Sequence, residues 1–312
     1  MMVLIKNTMN GCMVEGRKKQ PLALIGANGM LASAVKRLLP DLYKIIPFDL
    51  PDFDLTDHHL VLKSLRKAKP KVIVNCAAYT NVDGCESEEE LAKQINGNGP
   101  GHLAHAAKDI GATLVHISTD FVFDGEKTEP YIEDDPANPQ SAYGRTKAFG
   151  EQAIIESDLK EYFIVRTSWL YGPSGKNFVD TIIQLAKERE ELRIVSDQVG
   201  TPTYTEDLTQ AIFSLLALDS SQSSSIPSYG IYHFSNEGEC SWYGFAEEII
   251  NQLKKQGELL RVKEIVPIRT EEYPLPARRP AYSVLSKEKI KAATGLIIPG
   301  WKAALEKYLN MF

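Results

Sequence analysis

Short apolar runs that alternate with segments of helical spacing constrain this chain more than any other feature. PLALIGANGM (21–30) is an apolar run closed by Gly26 and Gly29, and the stretch from Met30 to Leu39 then sets Leu31, Val35 and Leu38 on one helical face. YKIIPFDL (43–50) is a second run and ends near Asp49. Residues 57–68 read as a helix and KVIVNCAA (71–78) as a third buried strand. EEELAKQINGNGPGHLAHAAKDIG (88–111) reads as largely helical and stops at Gly111. ATLVHISTD (112–120) is a fourth strand, 141–157 a helix, and YFIVRTSWLYG (162–172) begins as a strand. Continuous apolar strands, as opposed to alternating ones, are buried on both faces. Their succession with helices predicts an α/β fold, a Rossmann-like doubly wound parallel sheet.

The rhythm changes after residue 172. Helices are predicted over 177–190, 205–218, near 242–255 and from Trp301 to Met311, with a short strand at 192–197 and a serine-rich loop, SSQSSS, at 220–225. The expected division is a loose N-terminal extension (1–20), a Rossmann-like sheet domain (21–170) and a smaller lobe (171–312) that covers the carboxyl edge of the sheet. Some segments of that lobe return to the first domain.

Composition excludes several classes. Hydrophobic residues make up 43% of the 312 and charged residues 24%, so a sizeable core is within reach. The net charge of −6 lacks the basic footprint of a nucleic-acid partner. The four cysteines, Cys12, Cys76, Cys85 and Cys240, form no Cys-x-x-Cys, which leaves a zinc or redox motif unsupported and suits a reducing compartment. No apolar stretch approaches the ~20 residues that span a membrane. The apolar patch in the first 20 residues is too short for a signal-peptide core. A cytoplasmic protein with no membrane partner is expected.

Three places carry chemistry. Gly26-Ala27-Asn28-Gly29-Met30-Leu31-Ala32 joins the first strand to the first helix, where small residues let a backbone approach a pyrophosphate and the helix start supplies N–H donors. The spacing is Gly-x-x-Gly-x-x-Ala. Asp49 ends the second strand about 20 residues further on, where a carboxylate can accept from an adenosine ribose. Ser118-Thr119-Asp120 closes the fourth strand at the carboxyl edge, and the Thr119 hydroxyl is a candidate to polarise a carbonyl. SAYGRTK (141–147) sets Tyr143 and Lys147 one helical turn apart, so that an ammonium is expected to lower the phenol's pKa. With 13 tyrosines in 312 residues about one Tyr-x-x-x-Lys arises by accident, and it is the chain order Thr119, Tyr143, Lys147 that gives the pair meaning.

With these residues in place the chain resembles the extended short-chain dehydrogenase/reductases, and among them the dTDP-4-dehydrorhamnose reductases, over about residues 21–312. The phrases that carry the resemblance are VNCAAYTNVD (74–83), STDFVFDG (118–125), NPQSAYGRTK (138–147), RTSWLYG (166–172), DQVGTPT (197–203) and RRPAYSVL (278–285). The resemblance implies reduction of the C4 ketone of a dTDP-sugar by NADH or NADPH. It implies Tyr143 as catalytic acid and Lys147 as its partner, which also holds the nicotinamide ribose. It places Thr119, Asp120 and Trp169 against the sugar, and Gly26, Gly29, Met30, Leu31, Asp49, Asp54, Leu55, Ala77, Ala78 and Tyr79 around the cofactor. Asn177 and the 197–203 loop would serve the nucleotide end. The resemblance admits Mg2+, with no ligands chosen, and a homodimer.

The chain departs from the family pattern at Met30, where glutamine is common, at Ala32, where glycine is common, and at Phe121, where tyrosine is frequent. Dehydratases of the superfamily place Glu at the position of Phe121, which argues against dehydration. Epimerases lack the DQVGTPT and RRPAYSVL resemblance. A non-catalytic regulatory subunit on the same fold is the reading from another class. His116 is expected to be a core residue, His58 and His59 to be solvated, Trp242 and Trp301 to pack at helix starts, and Glu86 to Glu90 to favour a helix start rather than a metal.

Overall fold

The computed structural model describes residues 19–39, 43–220 and 229–311. Residues 1–18 of the expected extension and the serine-rich loop beyond Ser220 lie outside them. The first half of the chain supplies five strands: β1 (Gln20–Ile25), β2 (Tyr43–Phe48), β3 (Val72–Asn75), β4 (Thr113–Thr119) and β5 (Tyr162–Thr167). A sixth strand, Gly230–His233, pairs with β5. All six are parallel, in the order Gly230–His233, β5, β4, β3, β1, β2. The order reverses between β1 and β3, and a crevice opens there at the carboxyl ends of the strands. Pro47 is tolerated in β2 because that strand is the sheet edge.

Side chains of β1 alternate between two cores. Leu22 and Leu24 face one that holds Leu31 and Val35 of the helix Met30–Leu38 together with Leu208, Ile212 and Ile290 from the second half of the chain. Ala23 and Ile25 face the other, with Val61 and Leu65 of the helix His58–Ala68 and Leu103 and Ala107 of Gly99–Ile110. This two-sided burial is what the unbroken apolar runs required. The sixth strand escapes the sequence reading because GIYH has two residues only partly buried and ends on a histidine; β5 and the flanking helices bury the rest.

The expected helix over 88–111 is broken into Glu89–Ala92, a π-helical turn Lys93–Asn98 and Gly99–Ile110. The wider turn carries Asn96, whose side chain is spent on Tyr79: Oδ1 accepts from Tyr79 N at 2.8 Å and Nδ2 donates to Tyr79 O at 3.1 Å. Such turns recur at functional sites.

The remaining lobe has its own core of Tyr171, from the short strand Leu170–Tyr171, with Val179, Phe245, Ile249, Trp301 and Leu305 from the helices Phe178–Glu188, Trp242–Lys255 and Trp301–Leu309. A parallel pair, Glu191–Val195 with Glu264–Ile268, lies beside it; its second strand contains Pro267 and has no clear strand pattern in the sequence. Among the described residues, no helix is long and apolar enough to cross a membrane.

Candidate active site

The glycine turn is built by a close approach. Gly26 has φ +71°, and a Cβ there would lie 2.7 Å from Cα and N of Ala77, which follows β3. Only glycine fits both the left-handed backbone and that gap. The turn is pinned from the other side by Asp49, whose Oδ2 accepts from Asn28 N at 2.7 Å and whose Oδ1 accepts from Leu50 N at 2.9 Å. The helix Met30–Leu38 starts with Gly29 as N-cap and no side chain bonded across its first N–H groups, so they point into the crevice mouth ready for an acceptor.

A second close approach answers why a glycine separates Tyr143 from Arg145. A Cβ at Gly144 would strike the carbonyl oxygen of Phe121. The helix Ala142–Glu156 therefore lies directly against the turn after β4. Its start is capped by Ser141, whose Oγ accepts from Gly144 N at 3.2 Å. This packing brings Tyr143 to Thr119 and Asp120.

One cavity of about 1000 Å³ joins these pieces. Gly26, Gly29, Met30 and Leu31 line it from the glycine turn, and Asp49, Asp54 and Leu55 from the loop after β2. Ala77, Ala78 and Tyr79 line it after β3; Thr119 and Asp120 after β4; Tyr143 and Lys147 from the helix; Trp169 after β5. A neighbouring cavity of about 1260 Å³ is lined by Asp197 and Gln198 and by Arg278, Arg279 and Tyr282, that is, by two of the phrases that carried the family resemblance.

Asn177, expected at the nucleotide end, has a local role in its own helix. It lines neither cavity. It caps the helix Phe178–Glu188, accepting from Asp180 N at 3.0 Å and donating to Gly172 O at 3.1 Å. An asparagine before a helical run is a cap signal, and here that local chemistry prevails.

The electrostatics also differ from expectation. Lys147 is buried, at 1% exposure, and its Nζ donates to Ile117 O at 2.6 Å and meets His116 Nε2 at 3.2 Å. It is not bonded to the Tyr143 phenol. Burial brings its pKa down to about 8, with Glu151 and Cys76 pulling the other way. The Tyr143 phenol lies above its ordinary value, not below it. Burial is the main cause, the nearby Asp120 carboxylate adds to it, and the Thr119 hydroxyl opposes it. Tyr143 is thus held as an intact acid.

Asp120 is buried at 2% exposure. Its Oδ1 accepts from the Thr119 hydroxyl at 3.0 Å, while Oδ2 makes no hydrogen bond. Burial raises its pKa to about 6, against the hydroxyls of Ser283 and Thr119, which favour the carboxylate. Phe121 stands edge-on to Tyr143, with ring centroids 5.5 Å apart, and brings no acid or base to the site.

Trp169 has a left-handed backbone, φ +45°, and stacks on Trp242. Trp242 opens a helix as read from the sequence, and it also lines the larger cavity. Trp301 packs on Phe245. His116 is a buried strand residue as expected, but it touches Lys147, and its other ring nitrogen touches Asn75. Asn75, Asn96 and His116 were not singled out as site residues, since nothing in single-chain spacing separates a polar strand or helix residue that supports a site from one that fills a core.

The cations lining the smaller cavity are Lys147 and Lys176. Arg37, near the end of the helix Met30–Leu38, lines neither cavity and is paired with Glu206 at 2.6 Å. Among the described residues, no group of three or more His, Cys, Asp or Glu could hold a metal ion.

A doubly wound sheet whose carboxyl edge gathers a glycine turn, a threonine and a Tyr-x-x-x-Lys helix defines the class of extended short-chain dehydrogenase/reductases. The family model described as the RmlD substrate binding domain matches residues 20–312, and the chain belongs to that family. It is similar to a dTDP-4-dehydrorhamnose reductase of Burkholderia thailandensis, 41% identical over 287 residues that span 91% of this chain and 96% of the relative. A solved dTDP-4-dehydrorhamnose reductase from Clostridium acetobutylicum is 44% identical, with a TM-score of 0.86 over 93% of this chain and 99% of that one. Another, from Bacillus anthracis in complex with NADP, is 40% identical, with a TM-score of 0.87 over 95% and 100%.

Proposed function

We propose that this chain reduces the C4 ketone of dTDP-4-dehydro-6-deoxy-L-mannose to the alcohol of dTDP-L-rhamnose, using NADH or NADPH. The observation that carries this reading is the meeting of Thr119, Asp120, Tyr143 and Lys147 on the wall of one cavity whose far end is the glycine turn. The cradle at Gly26, where a Cβ has no room, fits a dinucleotide's pyrophosphate. The names of the relatives and the NADP in the Bacillus anthracis structure support the same cofactor class and substrate.

A bound nicotinamide cofactor would supply the hydride for C4. This chain's own residues supply the proton and the placement. Tyr143, kept protonated by burial and by Asp120, donates its phenolic proton to the ketone oxygen. On substrate binding the Thr119 hydroxyl turns its proton from Asp120 Oδ1 to that oxygen, which leaves the Asp120 carboxylate to accept from a sugar hydroxyl. Lys147 as ammonium stabilises the phenolate left behind and holds the nicotinamide ribose. Trp169 lies against the sugar. The larger cavity, with Arg278 exposed on its wall, receives the nucleotide end. Phe121 offers no base for removing a proton beside the ketone, which separates this site from a dehydratase's.

The test is a product assay with the dTDP-4-keto sugar and each cofactor, resolving C4 stereochemistry. Cofactor oxidation equimolar with dTDP-L-rhamnose is the expected result. The C4 epimer as product, or tight cofactor binding without turnover, overturns the reading; the latter outcome points to a regulatory subunit.

A further inference from the structure

Asn75 ends β3 and His116 lies directly across from it in β4. Neither lines the cavity, yet together they reach Lys147. The chain of contacts has a direction that can be read from hydrogen-bonding capacity alone. The Ala77 N–H can only donate, and Asn75 Oδ1 receives it at 3.1 Å. The Asn75 NH2 group must therefore be the end that faces His116 Nδ1, at 3.0 Å. An NH2 group only donates, so Nδ1 must accept. His116 is 1% exposed, and burial holds its pKa well below the ordinary value, so the ring is neutral and carries one proton. That proton sits on Nε2, and Nε2 faces Lys147 Nζ at 3.2 Å.

We propose that Asn75 and His116 are positioning residues for Lys147: the oriented Asn75 amide makes His116 present an N–H, not a lone pair, to the lysine nitrogen. This rests on the reading of Lys147 as the partner of Tyr143. A neutral amine satisfies the arrangement, since its lone pair accepts from His116 and one of its N–H groups donates to Ile117 O. An ammonium has no lone pair and meets the His116 N–H as donor against donor. It relieves the clash by turning Nζ away from His116, toward the cavity and Tyr143. Protonation of Lys147 is thereby coupled to its release toward the phenol it serves.

The other groups facing Lys147 do not supply this direction. Cys76, after β3, has its thiol pushed up to about 12 by burial and is uncharged at neutral pH. Glu151, one turn further along the helix, favours the ammonium, but its carboxylate is already engaged by Arg166, at 2.7 Å, and by the Ser118 hydroxyl. Tyr143, one turn earlier, is neutral.

Asn75→Asp reverses the direction with little change of shape. The carboxylate still accepts from Ala77 N–H, but its second oxygen also accepts, so the His116 proton moves to Nδ1 and Nε2 becomes an acceptor for the ammonium. Long-range 1H–15N spectra of histidine-labelled protein read the tautomer with neither substrate nor cofactor present, so this result stands apart from the functional reading. The wild type is expected to show His116 protonated on Nε2, and Asn75→Asp on Nδ1. Loss of the Lys147 proton is expected to set the basic limb of the kcat profile, and that limb is then expected to rise by about one pH unit in Asn75→Asp, with the cofactor KM little changed. Protonation on Nδ1 in the wild type overturns the proposal, and that measurement needs no variant to fold. A switched tautomer with an unmoved kcat profile overturns it as well.

Discussion

Trp169 and Trp242 lie face to face, with ring centroids 3.5 Å apart and planes within 9° of parallel. Trp169 lines the smaller cavity and Trp242 the larger one, so the stacked pair forms part of the partition between them. Gly200 backs the pair: a Cβ there would come within 2.7 Å of the Trp169 indole. Trp169 holds φ +45° to take this place, a backbone region that non-glycine residues seldom adopt.

Loss of the stacked face should therefore appear in substrate binding. An aromatic pair contributes about 0.5–1.5 kcal/mol beyond its buried area, so Trp169→Phe and Trp242→Ala should each raise the sugar's KM by about 2- to 12-fold. Steady-state kinetics alongside melting curves check this. A large fall in melting temperature with unchanged kinetics per folded molecule would assign the pair to packing alone.

Tyr143→Phe removes the acid and keeps the ring against Phe121. General acid catalysis is typically worth about 10²–10⁴-fold, so kcat should fall by at least that order while the cofactor Kd stays near wild type. Near wild-type kcat with the dTDP-keto sugar would remove Tyr143 from the mechanism.

Asp120 links stability to pH. Its folded pKa, about 6, lies above the ordinary 3.8, so the folded protein holds this proton more tightly than the unfolded chain. The favourable contribution is full below the unfolded value and is lost as pH rises through about 6. Above that pH the buried carboxylate costs about 3 kcal/mol. Asp120→Asn should raise the melting temperature above pH 6 and lower kcat/KM, because the amide cannot replace the carboxylate toward the sugar. Denaturant titrations at acid and neutral pH test the sign: a stability gain present at pH 4 and absent at pH 7 would contradict it.

Asp49 bears on cofactor choice. Its carboxylate repels a 2′-phosphate, and Arg37, on the helix after the glycine turn, is held by Glu206. NADH is expected to serve at least as well as NADPH, measured as kcat/KM at saturating sugar. Asp49→Ser should shift the ratio toward NADPH. Because Asp49 Oδ2 also accepts from the Asn28 N–H of the glycine turn, the variant should weaken both cofactors. A wild type preferring NADPH more than tenfold, or an unchanged ratio in the variant, would separate Asp49 from the ribose.

Much of this protein was legible in one dimension because its determinants are local. Leu22 to Ile25 and Val72 to Val74 are apolar at every position, and such runs form two-sided strands wherever they fall. Asp57 and Ser141 sit directly before helical spacing and cap those helices. The glycine turn, Thr119 and the Tyr143–Lys147 pair could be found because each follows a strand or opens a helix at a fixed offset. The tertiary structure decided what depends on neighbours distant in the chain. The strand Gly230–His233 joins the sheet only because β5 is there to pair with it. Asn177 turned to its own helix instead of the cavity. Burial drove the Tyr143 phenol up when spacing alone had pointed down, because desolvation depends on how many atoms surround a group and not on which residue stands four places along. His116 acquired a bearing on Lys147 for the same reason: a strand residue's partners are set by sheet register and helix packing, and neither is written at the residue itself.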